Sequence, residues 1–376
     1  LVTINTFTIL LKSSKIDQTN ESIIFAWRGE VHRLINQYEN ALKDFNRAIQ
    51  LNSSYKWALV NRGRTYRLME RYDEALKDFN HAIELDPEYD RAIANRGRTH
   101  RLMERYDKAL KDFNRAIELD PEYDWAIANR AATYQALENY DEAFADISYA
   151  IVLAPNNKWY LQQRAWLQQT PDRYEQSIED FDCLIKLDPG NISYITGRGL
   201  ILLLHGSYER ALEDWNHAIQ LHENSWIYCY RALTHFYLKR NKQAKKDINQ
   251  AINLAQEQYD KDPSKHYNTC NLGLYYLIVS RLNDAKFFYR EAVTRGIPIS
   301  ILKESIEDLN RLSNILPNHP HMVEMREFIK SQLDQRQNQA RVDISQEDVE
   351  IFQKNISMFR ENIYKSGGSD TVDEYY

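Results

Sequence analysis

The side chains best able to bind a ligand are arginines and asparagines between residues 61 and 129. The arginines are Arg64, Arg67, Arg91, Arg98 and Arg101, and the asparagines are Asn61, Asn95 and Asn129. An arginine fork matches the oxygens of a carboxylate or phosphate, and an asparagine amide can bond a C=O and an N–H at once. The alternative is a solvated face, in which Arg64, Arg67, Arg98 and Arg101 pair with Glu70 and Glu104.

These residues recur because the chain repeats itself. Residues 61–89 return at 95–123 with three changes, which sets a period of 34 residues. A small residue marks one place in each copy: Ala41, Ala75, Ala109, Ala143, Ser177, Ala211, and more loosely Ala244 and Ala285. The period predicts eight repeats, 22–55, 56–89, 90–123, 124–157, 158–191, 192–224, 225–258 and 266–299, with an insertion between the last two.

Each repeat has the pattern of two helices. In repeat 3, residues 92–104 are rich in helix formers, and residues 107–119 carry apolar side chains at helical spacing. Asp120-Pro121 ends the second helix, because a proline further inside would lose a backbone hydrogen bond. One helix pair cannot bury its apolar stripe alone, so neighbouring pairs must stack. The predicted fold is all-α, an α-solenoid of helix-turn-helix repeats.

A family resemblance follows from these residues. The pattern of Gly63, Tyr66, Tyr72, Ala75, Phe79, Ala82 and Pro87 resembles the tetratricopeptide (TPR) repeat. The resemblance implies a right-handed TPR superhelix, whose first helices line a concave groove that holds extended or helical peptides. On that groove the arginines and asparagines would bind an acidic, extended peptide of a partner protein.

Two known types of TPR groove can be compared with the one predicted for this chain. The asparagine series is similar to the ladder in the TPR superhelix of the O-GlcNAc transferases. Asn61 fits the carboxylate clamp of chaperone-binding TPR domains, but Ala26 and Glu30 stand where that clamp has lysine and asparagine. Binding of a chaperone tail is therefore not predicted.

A separate arginine series pairs with aspartate. The arginines are Arg28, Arg62, Arg96, Arg130, Arg164, Arg198 and Arg231, and the aspartates are Asp44, Asp78, Asp112, Asp146, Asp180, Asp214 and Asp247. Repeat 8 loses both together, with Leu272 and Phe288. Since a buried guanidinium needs a matched charge, the sequence predicts an ion pair between the two helices of each repeat.

Aromatic residues near the same face predict that the second half of the groove is aromatic, whereas the first half is cationic. They are Trp125, Trp159, Trp166, Trp226, Tyr230, Phe236, Tyr237 and Tyr267. Aromatic side chains are favoured anchors at interfaces. Trp57, Trp125, Trp159 and Trp226 also occupy the second place of their repeats, so packing between repeats is the alternative.

The sequence also predicts the structure of the segments outside the repeats. Residues 1–21 predict a helix or strand that packs on repeat 1. Residues 300–335 predict two capping helices around Leu316-Pro317, and this end resembles TPR arrays found behind bacterial signalling ATPases and kinases. The tail, 336–376, predicts an amphipathic helix over about 346–364 and a flexible acidic end. That helix needs a partner: the last repeat, another chain by self-association, or the groove itself.

Composition limits the class of protein. With 27% charged residues, a mean hydropathy of -0.64 and no long apolar run, the chain predicts a soluble protein without a membrane span. A net charge of -6 makes nucleic acid an unlikely partner class. Cys183, Cys229 and Cys270 form no CxxC motif, which favours a reducing, cytoplasmic location and buried packing.

No motif for catalysis is present. The sequence lacks a phosphate-binding loop, GxSxG, HExxH and kinase motifs, and His319 and His321 lack further metal ligands. No catalytic residue, metal or cofactor is predicted. The expected function is a non-enzymatic scaffold, adaptor or sensor that binds a peptide. The alternatives are an RNA- or polyanion-binding solenoid, with Trp125, Trp159 and Trp166 for stacking, or a regulatory fragment of a signalling ATPase or kinase.

Overall fold

The computed structural model describes residues 2–11, 17–167 and 173–336. These residues form nineteen helices and no strand. The helices are α1 (Val2–Leu11), α2 (Gln18–Leu34), α3 (Tyr38–Leu51), α4 (Lys56–Leu68), α5 (Tyr72–Leu85), α6 (Asp90–Leu102), α7 (Tyr106–Leu119), α8 (Asp124–Ala136), α9 (Tyr140–Leu153), α10 (Lys158–Trp166), α11 (Tyr174–Leu187), α12 (Ile192–His205), α13 (Tyr208–Leu221), α14 (Ser225–Tyr237), α15 (Asn241–Lys261), α16 (His266–Ile278), α17 (Leu282–Thr294), α18 (Ile299–Ile315) and α19 (322–336). The all-α, helix-turn-helix fold predicted from the sequence is confirmed.

Helices pack as consecutive antiparallel pairs, from α2 with α3 to α16 with α17. The turn inside several pairs uses a residue in the left-handed region, such as Glu70 (φ 59°) and Glu104 (φ 56°). This conformation lets a backbone N–H after the helix reach back, as Arg71 N does to the C=O of Tyr66 (2.9 Å). Each short turn therefore brings the second helix directly onto the first.

Small residues let the two helices of a repeat approach closely. In repeat 2, Ala75, Phe79 and Ala82 are fully buried, and a Cβ on Gly63 would lie 2.7 Å from the Phe79 ring. Only glycine fits there without a shift of the ring. In repeat 4 Ala131 stands at the place of that glycine, and the smaller Ile147 replaces the phenylalanine opposite it.

The chain divides into two bodies, Leu1–Pro189 and Gly190–Tyr376. In the N-terminal body, α1 packs on α2, and Thr8 Oγ1 accepts a hydrogen bond from Arg28 (3.1 Å). In the C-terminal body, α18 packs on α16. Arg336 at the end of α19 donates to the C=O of Ile297 and of Val293, each at 2.7 Å. The terminal helices are thus tied to the repeats beside them.

Three expectations differ from the structure or lie outside it. Helix α15 has 21 residues where α13 has 14, so the expected insertion begins inside a continuous helix. Cys229 and Cys270 are buried, but Cys183 is exposed, so the prediction of burial was wrong there. Its helix turns Phe181 and Leu184 to the core, which leaves Cys183 facing solvent. The tail helix expected over 346–364 and the acidic end lie outside the described residues.

Over residues 2–11, 17–167 and 173–336, no helix combines the length and apolar character that a bilayer span requires.

Candidate peptide-binding site

The seven arginines that were predicted to pair with aspartate, a series that includes Arg62, are neutralised within their repeats. Arg62 donates from Nε and Nη2 to both carboxylate oxygens of Asp78, at 2.8 and 2.6 Å. The same two-bond pair joins Arg28 to Asp44, Arg96 to Asp112, Arg130 to Asp146, Arg164 to Asp180, Arg198 to Asp214 and Arg231 to Asp247. The predicted ion pairs are confirmed in all seven repeats, and they hold the two helices together.

A third hydrogen bond joins neighbouring repeats. Arg62 Nη1 donates to Asn46 Oδ1 of the preceding repeat at 2.8 Å, and Arg96 Nη1 donates to Asn80 in the same way at 2.9 Å. Sequence reasoning missed these asparagines, although Asn46 and Asn80 recur with the repeat period. With three of its donors occupied, an arginine of this series is structural and is not part of a ligand site.

The arginines predicted to bind a ligand are not neutralised in this way. Arg64 and Arg67 lie on α4, and Arg98 and Arg101 lie on α6. Within the described part of the chain, no carboxylate forms an ion pair with any of the four guanidinium groups. Arg67 is only 7% exposed and the other three are half-buried, so they do not form the solvated face that was the alternative expectation.

Asparagines hold two of these arginines in place. Arg64 Nη1 donates to Asn61 Oδ1, and Arg67 Nη1 donates to Asn95 Oδ1, both at 2.9 Å. Each asparagine in turn donates to a backbone C=O one turn earlier in its helix, as Asn129 also does. All three asparagines are buried. The sequence had predicted direct bonds from them to a peptide, whereas in the structure Asn61 and Asn95 position the guanidinium groups.

Burial and mutual repulsion oppose the charge of this series. Burial lowers the pKa of Arg67 well below its usual value, and the neighbouring charges of Arg98 and Arg64 lower it further. Burial also lowers the pKa of Arg64, Arg98 and Arg101. The Nε groups of Arg98 and Arg101 are buried without an acceptor in the described residues. A bound anion would relieve both the repulsion and the unmet hydrogen bonds.

Seven of the predicted site residues meet at one cavity of about 320 Å³ between α4, α6 and α8. They are Asn61, Arg64, Arg67, Arg91, Asn95, Arg98 and Trp125. The sequence did not single out Val60, Tyr89 and Tyr123 for this site, and it gave Trp57 only a packing role; all four also line it. Tyr89 and Tyr123 are the last residues of repeats 2 and 3, and this shared position could have identified them as lining residues of the cavity.

The aromatic wall is close to the arginines. The Arg98 guanidinium carbon lies 5.6 Å from the centre of the Trp125 ring, within the range of a cation–π contact. Trp125 stacks with Tyr123 at 6.0 Å, and burial raises the pKa of Tyr123 to about 12. The cavity therefore combines a cationic side with an apolar side.

Four predicted residues do not line this cavity. Arg101 lies on α6 and contributes to the charge around Arg67. Asn129 is buried within α8. Trp159 packs against Tyr160, and the Trp166 ring meets a buried phenylalanine edge-on; both tryptophans remain about two-fifths exposed (38% and 42%). They offer an apolar surface elsewhere in the N-terminal body.

Aromatic residues of the C-terminal body mostly pack. Trp226 and Tyr230 surround the fully buried Trp215, with ring centres 6.4 and 5.6 Å away. Tyr237 stacks with Tyr208 at 4.9 Å. These contacts agree with the packing alternative, while Phe236 and Tyr267 remain exposed.

His319 and His321 lie in the turn before α19, and Glu324 Oε2 is 3.7 Å from His321 Nδ1. The rings of His319 and His321 are 6.2 Å apart. No cluster of three or more histidine, cysteine, aspartate or glutamate side chains suited to a metal ion occurs in the described ranges.

Two family models match parts of this chain. Residues 21–88 and 54–122 match the tetratricopeptide repeat family, and residues 89–162 and 200–274 match the family of anaphase-promoting complex subunit 5. No curated protein gives a significant match.

Several solved structures are similar to this chain at low sequence identity. The pilF protein of Pseudomonas aeruginosa is 15% identical, with 56% of this chain and 96% of that chain covered and a TM-score of 0.50. A tetratricopeptide repeat protein of Parabacteroides merdae is 19% identical, with 68% and 98% covered and a TM-score of 0.45. YrrB, a TPR protein with an unusual peptide-binding site, is 20% identical, with 49% and 94% covered and a TM-score of 0.42. Residues 21–122 thus match the tetratricopeptide repeat family, and paired helices with the same 34-residue period continue after them.

Proposed function

We propose that the chain is a non-enzymatic adaptor, and that it binds an acidic peptide segment of a partner protein in the cavity between α4, α6 and α8. Tetratricopeptide repeats are a protein-binding family, which makes a peptide the first ligand class to consider. The observation that carries the proposal is the group of buried and half-buried arginines without carboxylate partners, Arg64, Arg67, Arg98 and Arg101. The resemblance to arrays attached to signalling ATPases or kinases stays a prediction from the sequence.

The site without a ligand carries an energetic cost. Burial of a charge is unfavourable unless a partner compensates it, and like charges nearby add to the cost. Arg67 bears both penalties. A carboxylate in the cavity would accept charge-assisted hydrogen bonds, which are about twice as strong as neutral ones. The free energy of the site therefore favours an anionic occupant.

The apolar side of the cavity supports a peptide rather than a small anion. Trp57, Val60, Tyr89 and Tyr123 supply apolar surface next to the arginines. An acidic residue with apolar neighbours in its own peptide could cover both sides at once. Rigid aromatic side chains gain contact area at low entropic cost, which suits them to this use.

Fluorescence anisotropy with a labelled octapeptide of alternating aspartate and glutamate tests the proposal. The uncharged counterpart has alternating asparagine and glutamine. We expect only the acidic peptide to bind, and Arg98→Ala to weaken binding about tenfold, equivalent to about 1.4 kcal/mol. Arg115→Ala is the matched control, since Arg115 lies on α7 of the same repeat, its side chain is 49% exposed, and it pairs with Glu118.

Circular dichroism should first show equal helicity of the wild type and both variants. Equal affinity for the two peptides, or equal weakening by both substitutions, would contradict an acidic-peptide site at this cavity. Tighter binding of a single-stranded RNA, with a steep loss of affinity as salt rises, would favour the polyanion alternative instead.

A further inference from the structure

We propose that the anionic group recognised in this cavity is a phosphorylated side chain of the bound peptide, rather than a single carboxylate. This inference rests on the proposed function and specifies its ligand. It follows from the amount of unpaired charge, from the fixed orientation of the arginines, and from the size and walls of the cavity.

The cluster of buried and half-buried arginines Arg64, Arg67, Arg98 and Arg101 lies in repeats 2 and 3. Arg64 and Arg67 occupy two places of repeat 2 that hold Glu30 and Arg33 in repeat 1, and these two residues neutralise each other at 2.6 Å. Repeat 4 has alanine and glutamine at the same places. The cluster is thus a discrete site in the described chain, and not a basic stripe along the repeats.

The magnitude of this charge exceeds that of one carboxylate. Burial lowers the pKa of Arg67, and the positive charges of four nearby guanidinium groups, those of Arg98, Arg64, Arg33 and Arg101, lower it further. A carboxylate supplies one negative charge, whereas a phosphomonoester supplies about 1.5 to 2 at neutral pH. Two carboxylates in one cavity would repel each other, but a phosphate collects the same charge on one group.

The orientation of the donors also suits a phosphate. Arg64 and Arg67 each use Nη1 for an asparagine, so their guanidinium planes are fixed while other N–H groups remain for a ligand. Arg98 comes from α6, the first helix of the following repeat, and its guanidinium lies over the Trp125 ring. Donors that converge from separate helices match the three acceptor oxygens of a tetrahedral phosphate, whereas a carboxylate offers two oxygens in one plane.

The cavity has room for a phosphate and the side chain that carries it. Its volume of about 320 Å³ falls at the small end of ligand sites. Free phosphate would leave the apolar wall of Trp57, Tyr89 and Tyr123 uncovered. A nucleic acid would gain from phosphate contacts along a strand, but the arginine cluster spans only two repeats. These observations favour one phosphorylated residue within a peptide.

Three labelled hexapeptides test this inference, and they differ only at the centre. The first has one phosphoserine, the second has two adjacent glutamates and so a similar total charge, and the third has an unmodified serine. At 150 mM salt we expect the phosphopeptide to bind at least tenfold more tightly than the glutamate peptide. Its affinity should fall between pH 7.5 and 5.5, because the second phosphate pKa is near 6. The glutamate peptide should show no such fall.

Variants and competitors complete the design. Arg98→Gln should remove the phosphopeptide preference, and Arg115→Ala should leave it unchanged. Equal affinity for the phosphopeptide and the glutamate peptide would overturn the phosphate inference and leave the acidic-peptide function standing. If, in addition, the alternating acidic octapeptide does not bind, the phosphate inference and the acidic-peptide function both fail. Inorganic phosphate or a single-stranded RNA that binds as tightly as the phosphopeptide would overturn the assignment to a phosphorylated peptide.

Discussion

Replacement of Asp78 by alanine tests the ion pair that holds the helices of repeat 2 together. The substitution removes two hydrogen bonds from Arg62 and leaves its guanidinium with Asn46 alone. Breaking a buried pair by removing one partner costs about 3–5 kcal/mol. The Asp78 side chain is 6% exposed and that of Arg62 is 20% exposed, so the freed guanidinium can regain some water. We therefore expect a loss near the lower limit, about 3 kcal/mol.

A double substitution separates the cost of an unpaired charge from the value of the pair. Repeat 8 has Leu272 and Phe288 at the two places, so Arg62→Leu with Asp78→Phe copies a natural solution. Burial raises the pKa of Asp78 although Arg62 opposes the change, whereas the hydrogen bond and attraction to Asp78 raise the pKa of Arg62 against its burial, so attraction and dehydration oppose each other within the pair. Apolar replacement of such pairs is often neutral or stabilising. We expect the double variant to lie within about 1 kcal/mol of the wild type.

Urea unfolding gives the measurement. With a slope of about 2 kcal/mol/M, a loss of 3 kcal/mol lowers the midpoint by about 1.5 M, and the double variant should shift by at most about 0.5 M. Circular dichroism and tryptophan fluorescence must give coincident transitions, because a repeat array can lose two-state behaviour. An unchanged midpoint for Asp78→Ala, or an equal fall for both variants, would refute the reasoning.

Two further predictions concern titration and the arginine cluster. Burial lowers the pKa of His100, so folding favours its neutral form; stability should be complete above the unfolded pKa of about 6.5 and fall as pH drops through the lower folded value. His100→Tyr, which copies Tyr66 of repeat 2, should reduce the fall in urea midpoint between pH 7.5 and 5.5, and an equal fall in both proteins would contradict this. Arg98→Leu removes a charge without an ion-pair partner in the described chain, so it should raise the stability by up to about 1 kcal/mol while it weakens binding of the acidic octapeptide; a lower midpoint would argue that Arg98 is structural.

Contacts inside a repeat could be predicted from the sequence because both partners recur at a constant offset. Arg62 and Asp78 are 16 residues apart, as are their counterparts in the other repeats, so the loss of both in repeat 8 already indicated contact. The helix pairs and their small residues followed from the same period. Each of these features depends on a helix and the helix that directly follows it.

Contacts between repeats were harder to predict, because they depend on the rotation between neighbouring helix pairs. The 34-residue period gives no information about that rotation. The bond from Arg62 to Asn46 was missed for this reason, and Asn95 was assigned to a peptide although its side chain holds Arg67 of the preceding repeat. Cys183 shows a smaller limit: a helical pattern predicts a buried stripe, but a residue at its edge can face solvent.

The same helix contributes one structural arginine and two proposed functional ones, and the local supply of acceptors decides which is which. Arg62 finds Asp78 on the second helix of its repeat. Sixteen residues after Arg64 stands Asn80, which accepts from Arg96 instead, and sixteen residues after Arg67 stands an isoleucine. Arg67 does bond to Asn95 of the following repeat, but neither Arg64 nor Arg67 forms an ion pair with a carboxylate in the described residues. Departures from local consistency of this kind are typical of functional sites, which is the physical reason to look for the ligand at α4 and α6 first.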